Sequence, residues 1–118
     1  MKATRRSSRS VALRKRERLL AELPDLREVL RGSLVSRYRR CGRPNCHCAD
    51  RGDAGHGPVY SLMVTVAPKE TLEVYVTKEQ RREVEARIQN FNKARRILEE
   101  ISSINRRLLQ EKQLFPEE

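Results

Sequence analysis

The 118-residue sequence contains no tryptophan, and aromatic residues make up only 4% of it. A chain so short of large rings can build only a thin apolar core. Small domains in that position usually need a metal, a disulfide or a partner. No apolar run approaches transmembrane length, so no membrane partner is expected. Cysteine is scarce as well, with three in all, and an odd number cannot close entirely into pairs. No hydrophobic signal segment precedes them, which leads us to expect a reducing, cytoplasmic setting. There, clustered thiols favour metal over disulfide.

What is scarce elsewhere is concentrated in one stretch, Cys41 to Pro58 (CGRPNCHCADRGDAGHGP). It holds all three cysteines, Cys41, Cys46 and Cys48, and both histidines, His47 and His56. Four of the five glycines lie there too: Gly42, Gly52, Gly55 and Gly57. The spacing C-x4-C-x-C-x7-H supplies four ligands, the number that a closed tetrahedral structural zinc site takes. Cys41, Cys46, Cys48 and His56 are therefore the expected ligands of a structural Zn2+. His47 is the competing nitrogen; wedged between two cysteines, it is expected to point outward. A closed shell leaves no position for an activated water. No redox C-x-x-C, paired carboxylates, nucleophile–base pair or phosphate loop is present, so an enzyme is not expected.

Charge is the second asymmetry. Residues 1–58 carry 15 Lys/Arg against 6 Asp/Glu, whereas residues 59–118 carry 11 against 10. A front half this basic points to a polyanion, nucleic acid before an anionic membrane surface, and modestly favours that over an ordinary solvated surface. The residues expected to meet phosphates are Arg5, Arg6, Arg9, Arg14, Lys15, Arg16, Arg18, Arg37, Arg39, Arg40 and Arg43. Arg5-Arg6 is followed by no hydrophobic region, so a twin-arginine export signal fails.

The chain divides into four parts by pattern. Residues 1–10 show no apolar periodicity and read as a disordered basic tail. Residues 11–31 read as two short helices divided at Pro24 and closed by Gly32, with apolar positions including Val11, Leu19, Leu20 and Leu23. The second is too short for a base-reading helix-turn-helix. Residues 32–76 form the zinc-clamped β module. Ser33 to Arg40 is a strand, with Leu34 and Tyr38 as the expected inward pair. Val59–Val66 and Thr71–Val76 alternate across a turn at Ala67-Pro68-Lys69-Glu70, the pattern of an antiparallel hairpin. Residues 77–114 hold one long helix, opened by a capping box at Thr77–Gln80 and running from Lys78 to about Lys112. Ala94, Ile97, Ile101, Ile104 and Leu108 step three and four residues apart, and Leu98 and Leu109 widen the face. That seam at 94–109 meets the N-terminal helices, a second copy or another protein.

The segments GSLVSRYRRCGRPNCHCA and GHGPVYSL, followed by a second strand and a long helix, resemble a small bacterial and archaeal family of unknown function. Its members carry a C-G-x-P-x-C-x-C…G-H-G-P-x-Y core. The resemblance covers residues 32–109 and maps onto Cys41, Gly42, Pro44, Cys46, Cys48, Gly55, His56, Gly57, Pro58 and Tyr60. It departs at the hairpin turn, where members often have glycine and this chain reads Ala67-Pro68-Lys69-Glu70. The resemblance implies zinc binding and the company of mobile genetic elements, and no reaction. The expected fold is a small α+β unit: a zinc-clamped sheet of two or three antiparallel strands, with N-terminal helices and a long C-terminal helix. The expected function is a non-enzymatic nucleic-acid-binding accessory protein, such as a subunit of a mobile-element or phage-related complex. The alternative is a protein–protein adaptor that docks or dimerises through the long helix.

Overall fold

The computed structural model describes residues 2–53 and 55–115, with side chains described from Ser8 onward. The expected α+β class is the one observed. Helix α1 spans Lys2–Ala21, a 3-10 turn Leu26–Glu28, β1 Ser33–Arg39, a second 3-10 turn His47–Ala49, β2 His56–Ala67, β3 Glu70–Val76 and α2 Arg81–Gln110. No described helix is long and apolar enough to cross a membrane. The chain separates into two compact units, Met1–Glu28 with Asn90–Glu118 and, between them in sequence, Val29–Gln89.

In the helical unit, α1 already runs through the stretch expected as a disordered tail at 1–10. Alanine, arginine and leucine are good helix formers, and neither Gly nor Pro interrupts the chain before Pro24. Ala12, Arg16, Leu19 and Leu23, four, three and four residues apart, are buried or half-buried, while Val11 stands exposed. The second short helix expected after Pro24 shrinks to the 3-10 turn. Asp25 closes it by accepting from the Arg27 amide at 3.0 Å, an Asx turn that competes with helix. Its carbonyl end is held by Asn90, which donates to the Glu28 carbonyl at 2.9 Å.

On α2, Ala94, Ile97 and Leu108 are buried and Ile101 and Ile104 half-buried, so the predicted seam is the inward face. It meets α1 within this unit. Arg16 Nη1 donates to Asn105 Oδ1 at 2.7 Å, and Arg9 Nε donates to the Gln113 carbonyl at 3.0 Å. Leu98 and Leu109, expected to widen the face, are instead exposed at 62% and 53%.

In the sheet unit the strand order is β1-β2-β3, all antiparallel, so the predicted third strand joins the hairpin. Leu62 lies between Leu34 and Val74 in register, and Tyr60 between Ser36 and Val76. Leu62 and Val76 are buried on this face, and Arg81 from the start of α2 lies over the Tyr60 ring at 5.3 Å. Tyr38 does not join them: it is 54% exposed, because a register shift between Arg37 and Arg39 ends the regular pleat beside it. The hairpin loop is shorter than expected. Ala67 pairs with Glu70, leaving Pro68 and Lys69 as the turn, with Lys69 at φ 62°. The capping box forms as predicted: Gln80 donates its amide to Thr77 Oγ1 at 3.2 Å, and Gln80 Oε1 accepts from the Thr77 amide at 3.1 Å. Residues 78–80 are wound as turns, so α2 proper starts at Arg81.

Candidate metal centre

The sheet brings the two ends of the cysteine stretch together. Arg39, near the end of β1, pairs with His56, the first residue of β2. Cys41 therefore leaves one strand where His56 enters its neighbour. Between them the chain curls twice: Cys46 donates its amide to the Arg43 carbonyl at 3.2 Å, and Ala49 donates to the Cys46 carbonyl at 3.0 Å. The second curl, the 3-10 turn at His47–Ala49, sinks Cys48 to 1% exposure.

The return path needs two glycines. Gly55 has φ 96°, and a Cβ there would lie 2.7 Å from the Arg39 carbonyl oxygen. Gly57 has φ 136°, and its Cβ would meet the Arg37 oxygen at 2.9 Å. Only a residue without a side chain lets the incoming arm lie this close to β1.

The result is a compact donor cluster. One ligand atom each from Cys41, Cys46, Cys48 and His56 lies within 4.8 Å of all the others. Cys41 Sγ and Cys48 Sγ are 3.5 Å apart, and Cys46 Sγ lies 3.0 Å from His56 Nε2. Thiolates bound about 2.3 Å from one tetrahedral centre sit roughly 3.8 Å apart. All four donors lie within about 1 Å of that spacing, so the residues fit one metal ion, and the donor set of three sulfurs and one imidazole is that of a closed structural site. Bound there, a metal would cross-link both strands and the loop between them.

Electrostatics favours the same end. The Arg43 amide, then His56 and Cys48, hold the Cys41 thiol down at a pKa of about 6, so its thiolate forms at little cost. The Cys41 amide also pulls Cys48 down, but burial and the neighbouring thiols outweigh it and push Cys48 up. One site thus contains a ready thiolate and a thiol that needs a cation to ionise.

His47 stands apart from the four donors. Its Nδ1–H donates to Asp53 Oδ2 at 3.1 Å, on the exposed side of the loop. Asp53 Oδ1 accepts from the Gly55 amide at 2.7 Å. The Gly55 amide and His47 together hold the Asp53 carboxyl below its ordinary range. The outward orientation expected for His47 is the one observed, and its pairing with Asp53 was missed. The sequence signal was Asp53-x-Gly55, an Asx turn two residues long.

Arg40, expected among the phosphate contacts, instead turns its guanidinium onto the loop that carries the ligands. It donates to the Cys48 carbonyl, to the Asp53 carbonyl at 2.9 Å and to the Asp50 carbonyl at 3.4 Å. It staples the loop that carries the ligands, a role with no signal in local sequence. Other members of the expected phosphate set are also occupied. Arg37 is ion-paired with Glu73, and Arg9 and Arg16 bridge to α2. Arg39 donates to the Tyr75 hydroxyl at 2.6 Å. Arg14, Lys15, Arg18 and Arg43 remain exposed. The side chains of Arg5 and Arg6 lie outside the described residues.

The molecule is thus a small α+β protein with a Cys3His donor cluster at the base of a three-stranded sheet. The family model for a domain of unknown function, DUF6788, matches residues 11–86, and the chain belongs to that family. The match takes in β1, the whole donor cluster and the hairpin. No curated protein and no solved structure matches it.

Proposed function

We propose that this protein is a cytoplasmic, non-enzymatic nucleic-acid-binding accessory protein whose Cys3His cluster holds a structural zinc ion. The observation that carries the binding reading is the outer side of α1. Arg14, Lys15 and Arg18 are exposed there, Arg18 lying four and three residues beyond the adjacent Arg14 and Lys15, and none has an acidic partner among the described residues. Arg107 of α2, itself paired with Glu111, lines the same cleft as Lys15. Such a stripe matches a phosphate backbone through charge alone and reads no base sequence. The family resemblance adds the setting, a subunit of a mobile-element or phage-related assembly.

Anisotropy titration of a labelled DNA duplex at low and moderate salt tests this. Affinity should fall steeply with salt, and replacing Arg14, Lys15 and Arg18 by Gln should reduce the slope of log K against log salt by about 2–3. No binding to duplex or single strand at low salt removes the reading.

A second reading has its own observation. Leu98 and Leu109 are exposed and eleven residues apart, about three helical turns, so they share one side of α2. A protein adaptor or self-association would use that stripe. The seam residues Ile97, Ile101 and Ile104 are not the place to probe it, since they are buried or half-buried. Leu98→Gln with Leu109→Gln should convert any oligomer to monomer in sedimentation; an unchanged mass rules this surface out.

A further inference from the structure

The second face of the sheet carries an arrangement that neither the metal cluster nor the basic helix explains. Val35, Ser61 and Tyr75 are in register across β1, β2 and β3. Arg37 is opposite Val59, and Glu73 opposite Met63, so the Arg37–Glu73 ion pair runs diagonally across Ser61. That bridge accounts for the burial of Ser61, which is 0% exposed with no hydrogen-bond partner for its hydroxyl. The pair closes a flat floor in the middle of the face. Beside it stands Tyr75, 58% exposed. The Arg39 guanidinium lies over its ring, 5.4 Å from the centroid, and Arg39 has no carboxylate partner among the described residues. Tyr38 and Phe115 are exposed as well, but among the described residues only Tyr75 joins an exposed ring to an arginine. Tyr60 is the contrast: its ring, under Arg81, is half-buried.

We infer that this face is a stacking platform for single-stranded nucleic acid, with Tyr75 taking the flat side of a base and Arg39 the adjoining phosphate. An aromatic ring stacks on any base because every base has a π-face, and an arginine beside it adds charge without reading sequence. Arg39 also fixes the ring by donating to its hydroxyl, so little side-chain freedom is left to lose on binding. A duplex hides its base faces and cannot use the platform. The inference rests on the nucleic-acid reading above and narrows it to strands with unpaired bases.

The test uses the full-length, metal-loaded protein and labelled 15-mers: oligothymidylate, oligouridylate, an abasic phosphodiester of the same length, and a duplex. Oligothymidylate should bind about 5- to 100-fold tighter than the abasic strand, the range of one or a few stacked bases. Tyr75→Leu should remove that preference and leave abasic and duplex binding unchanged. Equal binding of abasic and base-bearing strands, or an unaltered preference in Tyr75→Leu, overturns the platform while the phosphate reading survives. No binding to any probe at low salt overturns both. The oligouridylate arm separates RNA from DNA. Should Tyr75→Leu misfold, emission decides. With no tryptophan present, tyrosine dominates the fluorescence, and oligothymidylate should quench it in the wild type but not in Tyr75→Phe. Absence of quenching in the wild type contradicts stacking.

Discussion

Each of the two units is held together internally by its own chemistry. In the helical unit, Leu19, Ala94, Ile97 and Leu108 are buried, and carbon packed on carbon supplies the cohesion. In the sheet unit the buried set is Cys48, Ser61, Leu62 and Val76, of which only two are aliphatic. The sheet keeps Leu72, Val74 and Tyr75 about half exposed, so its three strands do not enclose a full core. A metal held by the Cys3His cluster would join β1 to β2 and take the place of the missing apolar contacts. The helical unit should be insensitive to metal, and the sheet unit should depend on it.

Removing the metal should separate the units most clearly. Chelation, or Cys48→Ser, should abolish stoichiometric metal binding and hydrogen-exchange protection across β1 and β2, because structural zinc contributes about 10 kcal/mol or more in small domains. Amides at 94–108 should keep their protection. The reciprocal change is Ile97→Ala, which opens a cavity at a residue with 0% exposure and should cost about 2–5 kcal/mol in denaturant melts. Metal content measured by atomic absorption should stay at one equivalent.

Changes around the cluster should be smaller. Arg40→Ala leaves three loop carbonyls without their donor and should weaken metal affinity about 10- to 100-fold in competition with a chelator. Gly55→Ala forces a Cβ toward the Arg39 carbonyl at positive φ and should cost about 1–3 kcal/mol in the sheet unit alone. The smallest effect belongs to the helical unit. Hydrogen bonds from Arg27 hold the Asp25 carboxyl below its ordinary pKa of 3.8. A depressed carboxyl stabilises the fold above the unfolded pKa, and the contribution fades as pH falls through the folded value. Asp25→Asn should therefore flatten the stability profile only below about pH 4.

The same contrast explains what could be read from the chain. Residue spacing alone placed Cys41, Cys46, Cys48 and His56 together, because ligand chemistry concentrates rare residue types within one short stretch. The hairpin, the capping box at Thr77–Gln80 and the inward seam of α2 were also legible, since each follows a local periodicity or a fixed offset. Less legible was anything decided by a distant partner. Arg40 and Arg37 look like free cations until the Cys48 carbonyl and Glu73 are brought beside them by the fold. Tyr38 alternates correctly for burial, yet the register shift before Arg39 leaves it outside. The helix over residues 2–10 leaves no trace in apolar periodicity, because that stretch is polar, yet nothing in it breaks a helix.

The central claim is that four side chains make one structural metal site. Native mass spectrometry of protein purified without chelator or oxidant tests it directly. One zinc per chain is expected in the wild type, none in Cys48→Ser or His56→Ala, and full retention in His47→Ala. Less than half an equivalent in the wild type, or zinc lost on replacing His47 and kept on replacing His56, would contradict it.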